Sequence, residues 1–164
     1  MTAEHGRSGR LHTRRVRKVA TRMMPETGDV DEFVQAVARY RGRRIVILAQ
    51  ELGLEAPTGY WISTTGTEYV VYPEDSNDDQ RAVIICHELA HMLLNHQPPE
   101  GSVDLGELAP SIAPSIAARF LNRHGFDDAM EADAERLATQ LTSELDRRAL
   151  RHELARDNIS ARLR

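Results

Sequence analysis

The segment His87-Glu88-Leu89-Ala90-His91 narrows what this chain can fold into more than any other. Two histidines at i and i+4 on an α-helix lie on one face, one turn apart, so both imidazoles reach a single point. A metal ion such as Zn²⁺ accepts such nitrogens at about 2.0–2.1 Å. Glu88, next to the first histidine, is placed to take a proton from a water held at that point without itself binding the ion. The flanking sequence supports a helix. Ser76 to Asp79 reads as a capping box. Ala82, Ile85, Cys86, Leu89, Met92 and Leu93 supply an apolar face, and Pro98-Pro99 and Gly101 end the helix after about His96.

A metal site with an open position needs a third protein ligand. The extended form of the motif requires glycine at 94 and histidine at 97, but the chain has Leu94 and Gln97. A carboxylate from a later segment is the alternative. Glu131 is the leading candidate, because Ala134 and Ala138 at i+3 and i+7 let its helix approach the histidine helix closely. Glu135, one turn on, can orient a ligating histidine. Asp104 and Glu107 are rival third ligands in a loop. His96 reads as a helix-end histidine, His124 as a partner for a helix C-terminus, and Cys86 as a core thiol.

The rest of the chain reads as a small α+β domain. Phe33, Val34, Val37 and Tyr40 mark an amphipathic helix over Val30–Tyr40, stopped by Gly42. Arg44–Leu48 is a β-branched strand, and residues 59–63 and 67–72 form a hairpin across Gly66, ended by Pro73. A loop over 97–110, a helix over 114–125 and a last helix from about Ala129, capped by Asp127 or Asp128, follow. The expected plan is a three-stranded sheet with the motif helix and further helices packed on it. Residues 1–28 read as a flexible basic arm, 29–145 as the domain, and 146–164 as a charged helical tail.

Charge and cysteine content exclude several classes. The 164 residues carry 21 Lys or Arg and 25 Asp or Glu, a net charge of −4. The first 22 residues hold seven of the basic groups and one acid. The remainder is acidic and argues against direct nucleic-acid binding. A single cysteine rules out an internal disulfide and a cysteine-rich zinc finger, and favours the cytoplasm. No apolar run approaches the roughly 18–20 residues that span a bilayer, so no membrane partner is expected.

Over roughly residues 29–145 the chain resembles the ImmA/IrrE-family metallo-endopeptidases. The resemblance rests on Arg44–Leu48, the hairpin, the segment Ile84–Leu93 around the histidines, and Glu131-x-x-Ala134-Glu135-x-x-Ala138. It implies a zincin-like core, His87, His91 and Glu131 as ligands of Zn²⁺ (Mn²⁺ or another divalent ion being alternatives), and Glu88 as general base. It also implies a cytoplasmic hydrolase. Its protein substrate would be a partner helix-turn-helix repressor, in a stress-response or mobile-element setting. The last helix departs from the family in being more polar at Leu141-Thr142-Ser143-Glu144-Leu145. The alternative reading is a non-catalytic metal-binding regulator that binds a transcription factor.

Overall fold

In a computed structural model, residues 3–51, 58–63, 66–96 and 126–162 are described. The expected loop over 97–110, the expected helix over 114–125, and with them Asp104, Glu107 and His124, lie outside them. Among the described residues the elements are α1 (Ala3–Met23), α2 (Val30–Arg41), β1 (Arg44–Gln50), β2 (Tyr60–Ser63), β3 (Thr67–Pro73), α3 (Asp78–Leu93) and α4 (Asp128–Arg162). The four helices pack against a three-stranded mixed sheet, the expected α+β architecture.

The strand order is β1-β3-β2. β2 and β3 form the antiparallel hairpin, and β1 runs parallel to β3, with Ile47 opposite Val70 and Trp61 opposite it on the other side. Opposed residues share a face, so Ile45, Ile47, Val70 and Trp61 line the side that meets the helices. Phe33, Val34 and Val37 from α2 and Ile85, Leu89 and Met92 from α3 close on this face. Leu137, Leu141 and Leu145 from α4 complete the core.

Caps explain where the helices begin and end. Asp29 caps α2 by accepting from the Glu32 amide, and Gly42 ends it in the left-handed region. The capping box of α3 lies one residue later than expected: Asn77 and Gln80 satisfy each other's backbone amides, in place of Ser76 and Asp79. Asp127 Oδ1 accepts from the Met130 amide at the start of α4.

The basic N-terminal segment differs from the expected flexible arm. It is helical, and Thr13, Ala20 and Met24 are buried, with Val16 packed beside them. Arg148 holds its C-terminal end to α4, donating to the carbonyls of Thr21 and Met24 and pairing with Glu144. These contacts reach past residue 145 into the charged tail, which continues as helix to Arg162.

Gly28 makes that crossing possible. Its φ is +73°, and a Cβ there would lie 2.4 Å from both the Ala149 nitrogen and the Leu145 oxygen. Gly42 has a similar φ of +66° but open space around it. Gly42→Ala is therefore expected to cost only the left-handed strain, about 1–2 kcal/mol. Gly28→Ala adds overlap with backbone that cannot move aside, for a total of about 3 kcal/mol or more. Thermal unfolding of the two variants side by side measures the difference.

Candidate metal centre

α3 carries both histidines on one face. Burial of Ile85, Leu89 and Met92 turns that helix so that His87 and His91 face the first turns of α4. On α4, Ala134 and Ala138 are buried, and the small side chains let the two helices lie close. Glu131, one turn before Ala134, thereby reaches both rings. His91 Nε2 lies 3.1 Å from His87 Nε2, and Glu131 Oε2 lies 3.3 Å from His87 Nε2 and 3.6 Å from His91 Nε2. Ligand atoms about 2.0–2.1 Å from a tetrahedral ion are separated by about 3.3–3.4 Å. Three atoms at these spacings, two imidazole nitrogens and a carboxylate oxygen, fit one divalent cation such as Zn²⁺, and among the described residues no fourth His, Cys, Asp or Glu joins them.

The cluster is graded in depth. His91 is fully buried, His87 is a quarter exposed and Glu131 nearly half exposed. One side of the site thus faces outward while its floor is closed. Phe126 makes part of that floor, stacked on the His91 ring with centroids 3.8 Å apart, and Trp61 stacks behind Phe126. Burial and the neighbouring His87 and His96 rings push His91 down to about 3, so its ring is neutral and its nitrogen lone pair available at neutral pH.

Both histidines have a partner on their second nitrogen. His87 Nδ1 is 3.4 Å from Glu135 Oε2, and His91 Nδ1 is 2.9 Å from His96 Nδ1. With Nε2 of His91 turned to the cluster, its Nδ1 carries the proton and His96 Nδ1 accepts it. Asn95 makes this possible: it takes a left-handed φ of 57° after the helix and folds His96 back, so that the His96 amide donates to the His91 carbonyl. His96→Ala is accordingly expected to weaken zinc binding about 10-fold or more. His96→Asn, which restores an acceptor, is expected to recover part of the loss, as read by chelator competition.

Glu88 is buried beside the cluster. Burial, and secondarily the Glu131 charge, pushes its carboxyl up to about 8 in the absence of a cation. It also borders the hairpin, since a Cβ on Gly59 would lie 3.7 Å from Glu88 Oε1. Cys86 is wholly buried in the hydrophobic core, outside the His87/His91/Glu131 cluster, and burial raises its thiol to about 11.

A second buried polar group fixes the end of the motif helix. Glu68 on β3 is 1% exposed and takes both Arg41 Nη2 at 2.7 Å and Arg41 Nε at 3.1 Å, with Arg43 Nε also 3.1 Å away. Arg41 Nη1 donates to the Met92 carbonyl, one residue past His91. The guanidinium lies 5.9 Å from the Trp61 ring centroid. The last turn of α3 is thereby tied to the sheet. The sequence assigns no role to Glu68 or Phe126 and marks His96 only as a helix-end histidine.

No described helix is long and apolar enough to cross a membrane. No model of a known protein family, curated protein or solved structure matches the chain. The chain is a small α+β domain whose His/His/Glu cluster, buried at His91 and partly exposed at His87 and Glu131, is suited to a divalent metal.

Proposed function

We propose that this protein is a metal-dependent endopeptidase, with zinc as the expected ion, of the ImmA/IrrE kind that its motifs resemble. One observation carries the reading. Glu88, which no two-histidine structural site requires, is buried, follows His87 in the chain and senses the charge of Glu131, in a site whose three ligand atoms are spaced for one cation. In this reading His87, His91 and Glu131 hold the ion. When bound, the ion supplies Lewis acidity toward a water and the scissile carbonyl. Glu88 takes the water's proton on a carboxylate oxygen and returns it to the leaving amine nitrogen. His96 and Glu135 keep the imidazoles oriented, and Phe126 keeps bulk water from the inner side of His91.

The sheet supplies a place for the substrate backbone. Among the described residues β2 is an edge strand, and its entry at Gly59 borders Glu88. An extended peptide adding to this edge would pass the cluster. The substrate proposed from the family resemblance is a helix-turn-helix repressor, cleaved in the cytoplasm to release transcription.

The test is hydrolysis by the zinc-loaded protein of a helix-turn-helix repressor, and of a denatured protein as a general substrate. Wild type is expected to cut. Glu88→Gln is expected to retain metal and lose at least about 100-fold in rate, the scale of a lost general base. Undiminished cleavage by Glu88→Gln contradicts the mechanism. Tight, metal-dependent binding of the repressor without cleavage by wild type would instead establish the non-catalytic regulator.

A further inference from the structure

The outward face of α1 has no role in the metal centre. Thr13, Val16, Ala20 and Met24 recur at spacings of three and four and turn inward. The same packing fixes Arg14, Arg15, Arg17, Lys18 and Arg22 outward, all exposed. No acidic residue occurs between Glu4 and Glu26. Arg17 reaches Gln140 on α4. Arg14, Arg15, Lys18 and Arg22 have no ionic partner among the described residues, whereas Arg41, Arg81 and Arg148 each face a carboxylate.

We propose that this face of α1, built on Arg14, Arg15, Lys18 and Arg22, binds the phosphate backbone of a nucleic acid without sequence preference. Arg14, Lys18 and Arg22 follow one line of the helix at steps of about 6 Å. From residue 14 to residue 22 the face carries about one cation per 3 Å, close to the one phosphate per 3.4 Å of a DNA strand. Guanidinium groups match phosphate in geometry as well as in charge.

Two other polyanionic partners fit less well. A folded protein partner needs an apolar patch at the centre of its interface, and the outward residues of this face are all polar or charged. A membrane surface needs the apolar face of the helix for insertion, and here that face is committed to the core. The acidic remainder of the chain does not cancel the patch, since charges are screened over about 8 Å at physiological salt. The inference is independent of the metal centre.

The test is fluorescence anisotropy with two 24-base-pair duplexes of unrelated sequence. The full chain is expected to bind both equally at 50 mM salt. Four phosphate contacts predict a loss of about 100-fold in affinity by 200 mM. R14A/R15A/K18A/R22A is expected to abolish most binding and flatten the salt dependence. R15A/R22A is expected to reduce the log–log slope by about two. All four positions are exposed and have no ionic partner among the described residues, so unfolding midpoints are expected to match wild type. The proposal is overturned by absence of duplex binding at 50 mM salt. It is equally overturned by unchanged affinity and slope in the variants, or by binding to phosphatidylserine vesicles but not to DNA.

Discussion

Glu68→Ala is expected to lower stability by about 3–5 kcal/mol, a fall of about 10 °C in unfolding midpoint for a chain of this size. The carboxylate is buried and receives two bonds from Arg41, with Arg43 beside it. Removing it leaves guanidinium charge at the sheet without a counter-ion, which costs far more than the net worth of the pair. Arg41→Ala in the Glu68→Ala background removes part of that uncompensated charge and is expected to recover some of the loss, offset by the lost bond to the Met92 carbonyl. The exposed pair Arg81–Asp31 provides the comparison: Asp31→Ala is expected to cost under about 1 kcal/mol. Chemical denaturation of the three variants beside wild type measures all of these values. Because Arg41 also holds the Met92 carbonyl, Glu68→Ala is expected to weaken metal binding as well.

The second large effect concerns the metal-free protein. Glu88 titrates near 8 in the folded chain and near 4.5 when unfolded, so the folded form keeps a proton that the unfolded form gives up. Stability from this group is present below about pH 4.5 and is lost as pH rises toward 8. His91 acts in the opposite sense. It titrates near 3 folded and 6.5 unfolded, so its contribution is lost as pH falls below 6.5. The two oppose each other between 4.5 and 6.5, and above 6.5 only Glu88 remains. Metal-free wild type is therefore expected to lose about 2 kcal/mol between pH 6.5 and pH 8. Glu88→Gln, which has no charge to bury, is expected to be more stable than wild type by about 4 kcal/mol at pH 8 and equal to it near pH 4.5. With a cation bound the trend is expected to reverse, since the ligands must be deprotonated and the ion favours the Glu88 carboxylate. Thermal scans across pH with and without chelator separate the two regimes.

How far this was legible in the sequence follows from the range of each interaction. α2 with its glycine stop and the hairpin are local patterns and form where periodicity and turn chemistry place them; the motif helix forms too, but it ends at Leu93 and not near His96, because Asn95 turns left-handed. Glu131 was legible because Ala134 and Ala138 leave room for a close helix crossing, and the structure brings its carboxylate to both histidines. The inward stripe of α1 was hidden because Thr13 and Ala20 are weakly apolar and five cations dominate the segment. The shift of the capping box came from Asn77 competing with Ser76, decided by the reciprocal reach of Gln80. Glu68 reads as a solvent-facing strand residue until Arg41, 27 positions earlier, is placed beside it. His96 and Phe126 likewise acquire their roles only through contacts with His91 that depend on the fold.

The metal centre is the claim on which the functional reading depends, and metal stoichiometry tests it most directly. Purified protein is incubated with zinc, freed of excess and analysed for bound metal, beside Glu131→Ala and Glu88→Gln. The account predicts about one zinc per chain in wild type and Glu88→Gln, and loss of most of it in Glu131→Ala. A wild type that holds no zinc after loading, or a Glu131→Ala variant that holds as much as wild type, would contradict it.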